Sequence, residues 1–136
     1  MSREKESQES KRWLEQARAD IRAAEISLAG GSYEWACFQS QQAGEKALKA
    51  CWYQFGLDPW GHSLVKLLYD FPEEKRPFGI DEIEENAMLL DKMYIPTRYP
   101  NGLPDLIPAK VYSKKEALAA ISAAVEILDT VMKHMK

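Results

Sequence analysis

Apolar residues recur at steps of three and four along most of this chain, the spacing that places side chains on one face of an α-helix. The first such row is Leu14, Ala17, Ile21, Ala24 and Leu28. No segment alternates apolar and polar residues with the period of two that a half-buried strand shows. The pattern predicts an all-α fold, an antiparallel bundle of four long helices and one short helix. We expect these helices at about residues 11–28, 33–55, 63–69, 81–93 and from 113 onward.

The length of the chain, 136 residues, is enough to bury one core without disulfides or metals. The first ten residues are polar, so we expect residues 1–10 to form a flexible tail and residues 11–136 to form the domain. Cys37 and Cys51 lie on one predicted helix roughly 20 Å apart, too far for a disulfide. We expect both to be buried thiols in a reducing cytosol.

Charge and hydropathy exclude several classes of protein. No apolar run approaches the ~20 residues of a membrane span, and the N-terminus lacks the apolar core of a signal peptide, so we expect a cytoplasmic protein. The net charge of −3 argues against broad nucleic-acid binding but permits a local basic pocket. The only histidines are His62 and His134, so neither a metal site nor a cofactor is expected.

The second predicted helix carries two neighbouring rows of different character. One row is entirely small, which lets another helix approach closely and indicates a central position. Its members are Ala36, Ser40, Ala43, Ala47 and Ala50. The other row is apolar at both ends and polar in the middle, where Gln41 and Glu45 lie. Because buried polar groups need partners, we expect these two side chains to bond Arg98 or a second subunit.

The segment from residue 95 to 112 contains four prolines and is not expected to form regular helix. It is rich in large apolar side chains, so we expect it to pack on the bundle, and long loops of this kind are often functional. The next helix opens with Ser113 and Glu116 at the spacing of a capping box. Two apolar rows follow, a face wide enough for several neighbours or for a second subunit.

Three parts of the sequence together resemble the HEPN family. The run 33–49 resembles the family's second helix, in which Gln-Gln-Ala precedes Glu-Lys-Ala-Leu-Lys. Gly56 followed by His62-Ser-Leu is similar to the family's next segment, and Thr97-Arg-Tyr-Pro100 resembles the loop before its last helix. The likeness extends from about residue 11 to residue 133.

The resemblance implies a helical bundle that is commonly a homodimer. It also implies nucleotide binding, or association with a minimal nucleotidyltransferase as in some toxin–antitoxin pairs. The family's ribonuclease branch has an arginine followed a few positions later by a histidine, whereas Arg98 is followed there by Leu103, Pro104 and Asp105. We therefore expect a non-catalytic module with no catalytic residue. A ribonuclease with a non-standard site and a purely structural dimer are the alternatives.

The candidate ligand-binding residues are Lys46, Lys49, His62, Arg98 and Tyr99. Either lysine could contact a phosphate. The alternative is a solvated ion pair on the bundle surface, since Glu45 and Lys49 have the i, i+4 spacing of such pairs. The tryptophans could stack on bases, but their helical spacing is more typical of core or interface residues.

Arg98 and His62 each have a ligand-binding and a structural interpretation. The planar guanidinium of Arg98 suits a phosphate, or it could anchor its loop through a buried pair with Glu45 or Asp91. His62 could help to bind an anion at the start of the third helix, or it could cap that helix or anchor the loop. Gln41, Glu45 and Asp91 are expected to form a structural polar cluster.

Overall fold

The computed structural model describes residues 3–135, which contain six α-helices and no strand. The helices are α1 (Arg3–Ala29), α2 (Tyr33–Gln54), α3 (Leu64–Asp70), α4 (Glu84–Asp91), α5 (Pro108–Val111) and α6 (Lys114–Lys133). Short 3-10 turns lie at Ile80–Glu82 and Pro100–Gly102. The predicted all-α bundle is confirmed. Its fourth helix is shorter than predicted, because the expected 81–93 span divides into a 3-10 turn, α4 and a closing turn.

Helix α1 begins at Arg3, well before the expected start near residue 11. Ser10, which we placed in the tail, is fully buried, and its hydroxyl donates to the Ala50 carbonyl at 2.8 Å. The predicted tail therefore overlaps the first helix from Arg3 onward. Residues 1 and 2 of that tail, and residue 136 of the predicted domain, lie outside the described residues.

Helix α2 is central to the bundle, as its row of small residues predicts. It contacts α1, α3, α4, α5 and α6, and every member of the small row is buried. At Gly44 the approach is so close that an added Cβ would lie 2.7 Å from Leu64 Cδ2 and 2.8 Å from Leu90 Cδ1. The core thus forms around a helix whose small side chains let its neighbours approach closely.

The proline-rich segment packs on the bundle only in part. Thr97 is buried and its hydroxyl donates to the Met93 carbonyl at 2.8 Å, and Pro108 is also buried. Pro108 starts the one-turn helix α5, which corrects the expectation of no helix here, since proline is well tolerated at the first helical position. Other large apolar side chains of the segment are exposed, contrary to expectation. They are Ile95, Tyr99, Leu106, Ile107 and Val111.

Helix α6 begins with the predicted capping box, in which Ser113 accepts from the Glu116 amide and Glu116 accepts from the Ser113 amide. One of its two apolar rows is buried throughout. The other row is only partly covered, since Leu118 is 48% and Met132 is 36% exposed. Among the described residues, no helix combines the length and apolar character needed to cross a membrane.

Candidate functional site

The polar middle of α2 is a buried ion pair. Glu45 is 4% and Lys49 is 9% exposed, and Lys49 Nζ lies 3.1 Å from Glu45 Oε2. The pair has the predicted i, i+4 spacing but not the solvated setting of a surface pair. Two charged groups that lose their hydration on burial need further polar partners. The groups around the Glu45–Lys49 pair are therefore described next.

Gln41 supplies one of these partners and ties α2 to the next loop. Its side-chain amide donates to Glu45 Oε1 at 3.2 Å and to the His62 carbonyl at 3.0 Å. Its own oxygen accepts from Gln42 at 2.8 Å. The expected hydrogen bond from Gln41 or Glu45 to Arg98 is not formed, and both side chains contact His62 instead.

His62 completes the cluster on its solvent side. Its Nδ1 lies 3.3 Å from both carboxylate oxygens of Glu45, and its ring stacks on Tyr94 with centroids 4.8 Å apart. The side chain is 56% exposed. Because Nδ1 faces Glu45, Nε2 is the ring nitrogen available to a ligand. The helix cap predicted as an alternative role for His62 is made by Ser63, whose hydroxyl accepts from the Lys66 amide.

Asp91 is bonded to the start of α3 and does not join Gln41 and Glu45 in the predicted polar cluster. Its carboxylate accepts from the Ser63 hydroxyl at 2.7 Å and from the Leu64 and Val65 amides at 2.6 and 3.2 Å. It therefore holds the N-terminus of α3, where a negative charge is favourable. The expected pairing of Arg98 with Asp91 or Glu45 is wrong.

Arg98 is instead held by aromatic rings. Its guanidinium carbon lies 4.1 Å from the Phe38 centroid, 4.7 Å from that of Tyr94 and 5.3 Å from that of Tyr99. Its Nε donates to the Tyr94 carbonyl at 2.9 Å. Within residues 3–135 its two terminal nitrogens have no hydrogen-bond or ion-pair partner. A rigid guanidinium with unused donors is suited to a phosphate or a carboxylate.

The structure separates Lys46 from the other candidates. Its Nζ lies 2.5 Å from Asp20 Oδ2 of α1 and 3.5 Å from Gln42 Oε1. Lys46 is therefore paired with α1, whereas Lys49 is paired with Glu45 within α2. Tyr99 stays beside Arg98 and is 51% exposed.

We call the group formed by Glu45, His62, Tyr94, Arg98 and Tyr99 the Arg98–His62 site. Tyr94 links it, since both His62 and Arg98 pack on its ring. The sequence analysis did not single out Tyr94 as a site residue. The available signal was the position of this aromatic residue, three residues before the segment Thr97-Arg-Tyr-Pro.

The cysteines are outside this site. Both are buried, and burial raises the pKa of each thiol to about 12, with the Glu116 and Glu34 carboxylates adding to the shift at Cys37. Such thiols are poor nucleophiles at neutral pH. Among residues 3–135, no group of three or more His, Cys, Asp or Glu side chains is arranged to hold a metal ion.

The structure defines the protein as a small all-α domain. Its central helix buries Gln41, Glu45 and Lys49 beside a polar surface site formed by His62 and Arg98. Comparison with protein families identifies the particular kind. The chain belongs to the HEPN domain family, whose model matches residues 10–135. The resemblance inferred from the second helix and the Arg-Tyr-Pro loop is thereby confirmed.

Solved structures agree with this assignment. The protein TT1696 of Thermus thermophilus is 44% identical, with a TM-score of 0.88 over 93% of this chain and 98% of that one. An archaeal HEPN homologue, ST0689, is 35% identical, with a TM-score of 0.78 over 93% and 98%. An HEPN domain protein of Thermotoga maritima is 30% identical, with a TM-score of 0.64 over 90% and 95%. No curated protein matches the chain.

Proposed function

We propose that this chain is a non-catalytic HEPN module that binds a nucleotide at the Arg98–His62 site. The observation that carries the proposal is the state of Arg98. Its guanidinium is fixed by three aromatic rings and by one backbone carbonyl, yet its terminal nitrogens have no partner among residues 3–135. Donors fixed in advance bind an anion with little loss of side-chain entropy.

The neighbouring groups suit the rest of a nucleotide. The exposed His62 ring can direct Nε2 toward a phosphate oxygen while Nδ1 stays beside Glu45. Lys49 offsets the charge of Glu45, so that carboxylate repels an incoming phosphate less. The exposed ring of Tyr99 offers a face on which a base can stack.

Calorimetric titration with ATP and with GTP tests the proposal. We expect saturable binding that Arg98→Gln weakens about tenfold or more, since a hydrogen bond to a charged group contributes about 1.5–3 kcal/mol. Arg76→Gln is the matched control, because Arg76 Nε also donates to a backbone carbonyl, that of Phe78, at 3.1 Å. No binding of either nucleotide, or equal binding by the Arg98→Gln protein, would reject the proposal.

One observation favours a second candidate function, a ribonuclease with a non-standard site. His62 and Arg98 are far apart in sequence, but both pack on the Tyr94 ring, so an arginine and a histidine share one surface. The arginine–histidine spacing of the ribonuclease branch is still absent from the sequence. Cleavage of RNA by the parent protein that is lost in a folded Arg98→Ala variant would favour this candidate.

Exposed apolar residues support a partner protein as part of the proposed function. The uncovered side chains of the proline-rich segment and Leu118 of α6 could bind a second copy of the chain or a minimal nucleotidyltransferase, as in a toxin–antitoxin-type system. Light scattering of the purified chain is expected to give the mass of a dimer, and Leu118→Glu is expected to shift it toward the monomer. A monomeric parent protein would remove the homodimer from the proposal.

A further inference from the structure

A small cavity lies where the first half of α1 passes the C-terminal end of α6. Its volume is about 200 Å³. Pockets that hold drug-sized ligands measure about 300–1,000 Å³, so a ligand of this cavity has to be smaller than a nucleotide. We call it the α1–α6 cavity and define it by the side chains of Lys11, Leu14, Arg18, Met132 and Met135.

The α1 side of the cavity is a single face of that helix. Ser7, Lys11, Leu14 and Arg18 follow one another at steps of four, three and four, the spacing that places side chains on the same side of a helix. Leu14 packs against the hydrophobic core, whereas Lys11 and Arg18 are exposed. This face therefore has an apolar centre with a cation on either side of it.

Two methionines form the opposite side of the cavity. Met135 Sδ lies 3.9 Å from Ser10 Oγ, and Met132 Sδ accepts from a terminal nitrogen of Arg18 at 3.1 Å. Met135 packs against the core, and Met132 is 36% exposed. Methionine side chains are flexible and polarisable, so they adapt to the shape of what they contact. This side offers apolar surface and holds the Arg18 guanidinium at one end of the cavity.

The charges around the cavity are unbalanced. Among residues 3–135, neither Lys11 nor Arg18 has a carboxylate within ion-pair distance, and the residues that line the cavity include no carboxylate. The whole chain has a net charge of −3, so this local excess of positive charge is opposite in sign to that of the protein. The complementary ligand is therefore an anion.

Arg18 is the better partner for that anion. Its planar guanidinium can bind a carboxylate through two parallel hydrogen bonds, which an ammonium cannot do. Lys11 lies seven positions earlier on α1, ~10 Å away along the helix axis. The methylene stem of a lysine can cover an apolar chain while its ammonium stays in water. The arrangement thus suits an anionic group at Arg18 and a short apolar chain beside Leu14.

We propose that the α1–α6 cavity binds a small monocarboxylic acid with a short linear alkyl chain. Its carboxylate would bind Arg18, and its chain would lie against Leu14, Met132 and Met135. Binding here does not depend on nucleotide binding at the Arg98–His62 site. Because so small a ligand buries few atoms, we expect a dissociation constant of about 1 mM.

Titration with hexanoate at neutral pH, followed by NMR of isotopically labelled methionine methyl groups, tests the proposal. Met132 and Met135 line the cavity, whereas Met88 and Met93 do not. We expect saturable shifts of the first two methyl signals only. Butanoate should bind about tenfold more weakly, since each buried methylene contributes about fourfold in affinity. Hexanamide, which has the same chain without the charge, should also bind about tenfold more weakly.

Matched variants locate the two ends of the ligand. Arg18→Gln should weaken hexanoate binding about tenfold, whereas Arg12→Gln removes the same charge outside the cavity and should bind like the parent protein. Met132→Glu places a carboxylate beside Arg18 and should abolish binding. Met88→Glu makes the same change at an exposed position of α4 and should leave binding unchanged. Circular dichroism checks that all four proteins keep their helices.

The proposal would be overturned if hexanoate shifted neither methyl signal, if hexanamide bound as tightly, or if Met132→Glu kept binding. Equal losses in Arg18→Gln and Arg12→Gln would also overturn it. N-acetylnorleucine has the same carboxylate and chain on a peptide-like group, and tighter binding of this compound than of hexanoate would overturn the assignment to a free acid.

Arg98→Gln separates this proposal from nucleotide binding, because it should lose ATP and keep hexanoate. Loss of both ligands in that variant would contradict a separate cavity site.

Discussion

Glu45 is the residue on which the polar centre of this HEPN domain depends. It accepts from Gln41, pairs with Lys49 and lies against His62, and it is almost fully buried. Its carboxylate thus connects the core of the bundle to a half-exposed histidine. A buried charge of this kind is stable only while all its partners are in place.

Glu45→Gln is therefore expected to lower the free energy of unfolding by about 2 kcal/mol, because it leaves the Lys49 ammonium buried without a counter-charge. Urea denaturation measures the change. Asp70→Asn is the control, since it breaks the exposed Lys66–Asp70 pair and should cost less than about 0.5 kcal/mol. Equal losses in the two variants would show that the buried pair has no special role.

The sequence predicted some residue environments and not others. Gln41 and Glu45 could be recognised as buried polar residues, because they interrupt an apolar row that lies beside a row of small residues on the same helix. Their partners could not be predicted, because these come from a loop more than fifteen residues away. The aromatic setting of Arg98 likewise depends on how closely its loop approaches Phe38.

At the scale of elements, periodicity predicted which segments are helical, and local capping decided where they begin and end. Gly31 ends α1 with a φ of +81°, and Ser113 begins α6 with the predicted box. The early start of α1 could not be predicted, because residues 3–10 are polar in sequence and the contact of Ser10 with the Ala50 carbonyl joins residues forty positions apart. Helix α3 is short and depends on Asp91, which belongs to another helix.

Asp91→Ala is expected to destabilise the fold by about 1–2 kcal/mol, because it removes the acceptor of two amides and one hydroxyl at the start of α3. Thermal denaturation followed by circular dichroism measures the loss. Asp129→Ala, at an exposed position of α6, is expected to change stability little. A loss no larger than that of Asp129→Ala would mean that α3 is held by packing alone.

At the scale of the whole molecule, the two buried thiols report on global unfolding. Burial raises the pKa of Cys37 and Cys51 to about 12, from an ordinary value of 9.0. Above pH 9 the unfolded chain releases protons that the folded chain retains, so the free energy of unfolding should fall as the pH rises from 9 to 12.

The free energy of unfolding should therefore fall less between pH 9 and pH 12 when both cysteines are replaced by alanine. Denaturation at several pH values in this range measures the difference. In the native protein at neutral pH, a thiol reagent should modify neither cysteine until the bundle unfolds. Rapid modification of the folded protein would contradict the burial of both side chains.

The Arg98–His62 site is the surface on which the proposed function of the bundle depends. Amide chemical shifts of the isotopically labelled protein during titration with ATP test it most directly. We predict saturable shifts concentrated at His62, Tyr94, Arg98 and Tyr99, with little change along α1. No shifts, or shifts concentrated along α1, would contradict the assignment of nucleotide binding to this site.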